Sequence, residues 1–139
     1  MSMILYVTLG TRDIDIAARF YDAALAPLGY GRTKDPDEGW LGWGPDYDDG
    51  VSLWLCPPFN GQSPSVGNGT MVAFRAKSAA EVRVFHAAAL AHGGADEGAP
   101  GHRLHYEPGF YAAYVRDPDG NKLACIYHRY DPATDHLAP

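Results

Sequence analysis

The chain has 139 residues, 46% of them hydrophobic, and a formal net charge of −6. A chain of this length and composition can bury one sizeable core, so we expect a single domain spanning residues 1–139. The negative charge disfavours nucleic acid and anionic membranes as partners, but it does not exclude a small anionic ligand held by one or two local arginines.

The location of the protein is predicted from three features of the sequence. No apolar run approaches the roughly 20 residues that a membrane span requires. The first seven residues lack the basic region of a signal peptide. Only two cysteines occur, Cys56 and Cys125, and neither has a zinc-site spacing. We therefore expect a cytoplasmic protein without a disulfide framework.

The first predicted element is a strand in which Leu5, Val7 and Leu9 alternate with Tyr6 and Thr8. This period gives the strand two distinct faces. One face would carry Tyr6 and Thr8, and the other would pack against a helix.

A helix is predicted from about residue 13 to residue 26. Asp13 is a suitable N-cap, while Pro27 and Gly29 favour termination. Shorter strands are predicted around residues 29–32, 40–43 and 51–56. A loop rich in Gly, Pro and Asn covers residues 57–69.

The second half of the chain predicts the same order of elements. Ser78 and Glu81 form a capping-box pattern at the start of a helix over 78–92, and Gly93 and Gly94 follow it. Strands are predicted around residues 103–106, 111–116 and 122–128. The segment from Gly98 to Gly101 is interpreted as a connection.

The two halves superpose when the sequence is shifted by 65 residues. The aligned pairs include Val7 with Val72, Phe20 with Phe85, Leu25 with Leu90 and Gly29 with Gly94. Convergent helix patterning remains an alternative to duplication. The repeat predicts two βαβββ modules, over residues 3–57 and 70–128, because a solenoid would need three or more copies.

A hairpin turn is strongly indicated between the last two strands, at Asp117-Pro118-Asp119-Gly120-Asn121. Proline sets the backbone angle φ, glycine supplies a positive φ, and the Asp and Asn side chains can bond to their own backbone. Two modules with this turn resemble the vicinal oxygen chelate superfamily of glyoxalases, bleomycin-resistance proteins and extradiol dioxygenases. The segment Gly98-Ala99-Pro100-Gly101-His102-Arg103 followed by residues 111–114 resembles a bacterial branch of it.

The resemblance covers residues 3–128 and implies an α+β fold. Its two βαβββ modules would form curved mixed sheets around a cavity, with the helices outside. Two chains of such proteins commonly complete each other's cavities, which implies a homodimer.

The resemblance also implies metal ligands on the first and last strands of each module. The matching positions here are Tyr6, Met71 and Ala124, together with Trp54 within one register step. A phenol, a thioether, a methyl group and an indole do not make a usual divalent metal site. We therefore predict no metal cofactor, although the family would lead one to expect a divalent ion.

A regrouped site of His102, His105 and His128 is an alternative to the conventional metal site. Scattered surface histidines explain these residues better, because no sequence spacing brings the three side chains together.

Strand alternation predicts which side chains line the cavity. We expect the ligand to contact an aromatic lining with a cation available for an anionic group. The alternative is that Tyr6 and Trp54 fill the space as core. The predicted ligand-binding residues are Tyr6, Trp54, Met71, Arg75, Arg103, Tyr114 and Ala124.

Three classes of function agree with this reading, because a fold does not determine function. The favoured class binds a small aromatic or anionic organic molecule without transforming it. The second is an enzyme (a lyase, isomerase or dioxygenase) with relocated metal ligands, or with metal-free acid–base catalysis by Tyr114, His105 or His128. The third is an interaction or regulatory subunit with a collapsed cavity.

Overall fold

The computed structural model of the chain describes residues 2–33 and 39–135. Its elements, in chain order, are β1 (Tyr6–Gly10), α1 (Ile14–Leu25), a short 3₁₀ helix (Ala26–Leu28), β2 (Leu41–Trp43), β3 (Ser52–Cys56), β4 (Val72–Arg75), α2 (Ala79–Ala91), β5 (Ala95–His102), β6 (Tyr111–Arg116), β7 (Lys122–Tyr127) and α3 (Pro132–Asp135).

The strands form two mixed sheets, which confirms the predicted α+β fold. The first sheet has the order β1-β3-β2 and the second has the order β4-β7-β6-β5. In each sheet the first strand of the module pairs in parallel with the last strand, while the other pairs are antiparallel. The helix between the first two strands makes this parallel crossover feasible.

Both long helices begin at the residues that the sequence indicates. The Asp13 carboxylate accepts hydrogen bonds from the Asp15 and Ile16 amides at 3.0 and 3.1 Å. The Ser78 hydroxyl accepts from the Glu81 amide at 3.1 Å. These side chains satisfy amides that have no partner within the helix, so they define the two starting points.

The repeated phenylalanines meet in one core, whereas Leu90, the repeat partner of the buried Leu25, is 39% exposed. Phe20 on α1 and Phe85 on α2 are both fully buried in a cluster that includes residues of both sheets and both helices. Gly94 follows α2, and a Cβ atom there would lie 2.7 Å from a ring carbon of Phe20. The glycine therefore allows the end of one module to approach the helix of the other.

Two strand predictions are wrong. Residues 103–106 form a turn, and the strand instead covers Ala95–His102, including the segment interpreted as a connection. Its glycines and proline have low strand propensity, so pairing with β6 decides the structure. The strand predicted at 29–32 is reduced to a single bridge between Arg32 and Trp43.

The turn at residues 117–121 joins the two modules. The Tyr21 hydroxyl donates a 2.6 Å hydrogen bond to Asp117. The Asn121 side-chain amide donates to Asp117 at 2.9 Å and to the Gly10 carbonyl at 3.3 Å. The turn that the sequence explains locally therefore also holds the second module against the first.

Each sheet has one face toward the helices and one open face. In β1, Leu9 is 8% exposed within the core, whereas Tyr6 on the opposite face is 45% exposed. In β4, Phe74 packs against the core while Arg75 is exposed. The described helices include none with the length and apolar character needed to cross a membrane.

Candidate ligand-binding site

The open face of the second sheet is built on small residues. One lateral row of the sheet consists of Gly98, Tyr114, Ala124 and Ala73, on β5, β6, β7 and β4. Side chains in one row project to the same side of a sheet. Tyr114 is therefore the only large side chain in a row of glycine and alanine, and its neighbour Ala124 is fully buried.

Arg103 lies against this face because two glycines leave space for it. A Cβ atom at Gly101 would lie 2.7 Å from Nη1 of Arg103, and one at Gly98 would lie 3.4 Å from Nη2. The Nη2 atom donates a 2.7 Å hydrogen bond to the Ala99 carbonyl. The guanidinium carbon is 5.7 Å from the centre of the Tyr114 ring. Arg103 is therefore held in place before any ligand arrives.

Further basic side chains occupy the same face. The Lys122 ammonium is 5.6 Å from the centre of the Tyr114 ring. Arg75 donates from Nη1 to Nε2 of His128 at 2.9 Å, and because a guanidinium only donates, this ring nitrogen accepts. Within residues 2–33 and 39–135, no carboxylate forms an ion pair with Arg75, Arg103 or Lys122. We call Arg75, Arg103, Tyr114, Lys122 and His128 the cationic face.

Tyr114 remains a phenol at neutral pH. Burial is the main reason that its pKa is raised above the usual value, and the neighbouring Tyr106 raises it further, while Arg103 acts in the opposite direction. Tyr114 can therefore donate a hydrogen bond to a ligand as well as accept one.

The open face of the first sheet carries an aromatic cavity. Tyr6, Trp40, Tyr47 and Trp54 line a space of about 230 Å³, and we call these four residues the aromatic cage. Trp54 lies over Gly42 of β2, where a Cβ atom would be 2.7 Å from the indole ring. Its Nε1–H group donates to the Ser52 hydroxyl at 3.0 Å, which fixes the ring orientation.

The residues predicted as ligand-binding thus divide between two faces. Tyr6 and Trp54 belong to the aromatic cage, and Arg75, Arg103 and Tyr114 belong to the cationic face. Met71 lines a separate depression with Lys122. Ala124 lies beneath the cationic face, with no exposed surface of its own.

The four positions implied by the family do not fit a divalent metal. Tyr6, Trp54, Met71 and Ala124 provide no imidazole nitrogen and no carboxylate, which such an ion prefers. In the described part of the chain, no three His, Cys, Asp or Glu side chains group in a way that could hold a metal ion.

The histidines proposed as an alternative site have separate partners. His102 accepts a hydrogen bond from the Gly109 amide at 3.1 Å, and His128 accepts from Arg75. The His105 ring packs on Tyr106 at 4.2 Å between centroids. Of the candidate catalytic residues, Tyr114 and His128 lie on the cationic face.

Sequence reasoning missed Trp40, Tyr47 and Lys122. Trp40 and Gly42 are two positions apart, so they face the same side of the sheet, and Gly42 pairs with Trp54. The two-residue period of a strand could therefore have predicted Trp40 as a site residue. Lys122 pairs with Arg116 across the predicted hairpin, and the same reasoning applies to it. Tyr47 lies in a loop and contacts Tyr6 across space, so no local signal indicates it.

Comparison with known proteins identifies the family. The model of the Glyoxalase/Bleomycin resistance protein/Dioxygenase superfamily matches residues 3–125. A glyoxalase/bleomycin resistance protein from Albidiferax ferrireducens T118 has 35% identity, with 90% of this chain and 98% of that chain covered and a TM-score of 0.78. The chain therefore belongs to this superfamily.

More distant structures share the fold alone. TnmS3, an antibiotic binding protein from Streptomyces sp. CB03234, has 23% identity, 91% and 95% coverage of the two chains and a TM-score of 0.60. Lactoylglutathione lyase from Agrobacterium tumefaciens has 22% identity, 91% and 93% coverage of the two chains and a TM-score of 0.60. A comparison with curated proteins finds no match.

Proposed function

We propose that the chain is a binding member of this superfamily that holds a small aromatic or anionic organic molecule without a divalent metal. The observation that carries the proposal is the cationic face, where Arg103 and Lys122 lie against Tyr114 and Arg75 lies on the same side of the sheet, none of the three with a carboxylate partner among the described residues. In a protein of net charge −6, such a group favours an anionic ligand.

The ligand's ring and its anionic group would have distinct partners. The Tyr114 ring offers a surface for stacking, and its neighbours in the same row, Gly98 and Ala124, are small. Arg103 offers donors that already have a fixed orientation, so less conformational entropy is lost on binding. An aromatic carboxylate is the simplest molecule that satisfies both.

We further propose a homodimer in which the cationic face of one chain and the aromatic cage of its partner enclose the ligand. Exposed apolar residues directly precede β1, with Met3 99%, Ile4 47% and Leu5 50% exposed. The loop beside the cage carries Asp46, Asp48 and Asp49, which complement a basic surface. Light scattering at micromolar concentration is expected to give twice the monomer mass, and a monomer would contradict the assembly.

Binding is tested by calorimetry with benzoate and 1-naphthoate, each compared with its neutral amide. We expect the carboxylates to bind and the Arg103→Gln variant to lose roughly tenfold or more in affinity. The matched control is Arg19→Gln, which removes an exposed arginine on α1. Equal binding of acids and amides, or an equal effect of both variants, would contradict the proposed site.

A superfamily enzyme is the second candidate, and the Arg75–His128 contact favours it. In that contact Nε2 of His128 accepts, so the neutral ring carries its proton on Nδ1 and can donate it to a ligand on the open face. One protein with the same fold is named a lactoylglutathione lyase. Formation of lactoylglutathione by the metal-stripped protein, lost in His128→Gln, would favour this candidate over simple binding.

A further inference from the structure

We propose that the aromatic cage is a site for an organic cation, specifically a quaternary or other alkylated ammonium group. The cage is formed by Tyr6, Trp40, Tyr47 and Trp54 of one chain. This inference does not rest on the proposed binding of an anion, because the cage and the cationic face lie on different sheets.

The arrangement of the rings excludes simple core packing. Tyr6 is 45% exposed, Trp40 36% and Tyr47 47%, although each contacts another ring of the cage. Aromatic residues that fill a core lose nearly all exposure, as Trp43 does at 1%. The three rings instead surround an open space together with Trp54.

The spacing of the rings argues against a flat ligand inserted between them. The Tyr6 and Tyr47 rings are nearly parallel, with 6.0 Å between centroids. A flat ring placed between two others needs about 7 Å, which is twice the optimal carbon–carbon separation. Trp40 and Trp54 are inclined at 59° and 6.3 Å apart, so they form a corner rather than a stack. A compact rounded group fits such an enclosure better.

Electrostatics then selects the charge of that group. The faces of aromatic rings carry negative potential and attract a cation within about 6 Å, with tryptophan strongest. Among the described residues, the lining contains no carboxylate, so a strongly hydrated ion would lose its water without receiving ligands from them. An alkylated ammonium group is weakly hydrated and avoids this cost.

The surroundings of the cage have the matching sign. Tyr47 is flanked in sequence by Asp46, Asp48 and Asp49, and the whole chain has a net charge of −6. These exposed carboxylates raise the local concentration of cations near the cage. They are not part of its lining, so the space between the rings remains available to the organic groups of the cation. The cationic face of the second sheet has the opposite character. A ligand spanning both in the proposed dimer would carry charges of both signs.

The site is also built in advance of binding. Gly42 leaves the space in which the Trp54 ring lies, and Ser52 accepts the indole hydrogen bond. A Cβ atom at residue 42 would also lie 2.6 Å from Oγ1 of Thr33, so Gly42→Ala should displace the Trp54 ring and the Thr33 side chain while all four rings remain in the chain. This variant separates ring position from ring presence.

The test measures binding of choline and of its neutral carbon isostere, in which a tert-butyl group replaces trimethylammonium. Proton NMR of the ligand methyl groups is the readout, because ring faces shift these signals upfield. We expect saturable binding of choline and roughly tenfold weaker binding of the isostere. Trp54→Leu, Tyr47→Leu and Gly42→Ala should each weaken choline binding about fivefold or more.

The matched control is Phe59→Leu, which removes a fully exposed ring outside the cage and should leave choline binding unchanged. Equal affinity for the isostere would overturn the assignment of charge. Absence of saturable choline binding would overturn the site. A third result would also contradict the proposal, namely that Tyr47→Leu weakens self-association while added choline has no effect on self-association. The cage would then be occupied by a basic side chain of a second copy of the chain.

Discussion

The Tyr21 hydroxyl on α1 donates a 2.6 Å hydrogen bond to the Asp117 carboxylate at the end of β6, and both side chains are buried. This bond joins residues 96 positions apart and connects the two modules. Burial is the main reason that the pKa values of both groups are raised, that of Tyr21 well above its ordinary value. The turn before β7 is therefore an inter-module contact as well as a local structure.

Removing the Tyr21 hydroxyl should destabilise the fold, while the aromatic ring that fills the core is kept. Tyr21→Phe leaves the buried Asp117 carboxylate without one of its donors, and we expect a loss of about 1–3 kcal/mol in the free energy of unfolding. Urea denaturation followed by circular dichroism measures the change. Tyr30→Phe is the control, because Tyr30 is 39% exposed. Equal stability of Tyr21→Phe and the parent would contradict the importance of this bond.

Alkaline pH should destabilise the protein through Cys125. Burial raises the pKa of this thiol from 9.0 to about 12, and Glu81 adds to the effect. Between these values the unfolded chain releases the proton while the folded chain keeps it, so stability present below pH 9.0 falls as pH rises.

The Cys125 contribution should fall by about 1.4 kcal/mol per pH unit within that window. Urea denaturation across the range measures it, and Cys125→Ala should reduce the slope, while Tyr21 and Tyr114, whose pKa values are also raised, retain part of it. Thiol labelling supplies an independent check, because Cys125 is fully buried and should react only after unfolding. Rapid labelling of Cys125 in the folded protein would contradict this placement.

The position of Arg103 should depend on a glycine. A Cβ atom at Gly101 would lie 2.7 Å from Nη1 of Arg103, so Gly101→Ala should displace the guanidinium. Affinity for an aromatic carboxylate should then fall roughly tenfold, as in Arg103→Gln. Gly31→Ala is the matched control, since a Cβ atom there has no neighbour within 4 Å. Unchanged affinity in Gly101→Ala would contradict the claim that this position of the guanidinium is needed for binding.

The sequence predicts elements better than it predicts the site, for a physical reason. Caps at Asp13 and Ser78 act locally, and the repeated phenylalanines identify the core. The strand Ala95–His102 is not predicted from the sequence because its glycines and proline have low strand propensity. Its pairing depends on β6, which no local pattern specifies.

The candidate site depends on similarly distant contacts. In the sequence, Gly98 and Gly101 predict a loop. The structure shows instead that they lie beside Tyr114 and Arg103. Tyr47 belongs to the aromatic cage because its ring, carried on a loop, stacks on the ring of Tyr6. Alternation along a strand identifies which side chains share a face, but it does not specify which rings of separate elements enclose a space.

Introducing the carboxylate usual for the family should not create a metal site. Ala124 is fully buried between Ala73 of β4 and Tyr114 of β6. In Ala124→Glu, one carboxylate would stand among groups that do not bind divalent ions, so we expect no stoichiometric Zn, Mn, Fe or Ni by elemental analysis. The larger side chain would also have to displace the neighbours that cover Ala124, which should destabilise the fold by about 1–3 kcal/mol. Ala124→Gln separates the effect of size from that of charge. Near one equivalent of metal in the parent or in Ala124→Glu, retained after dialysis, would contradict the metal-free proposal.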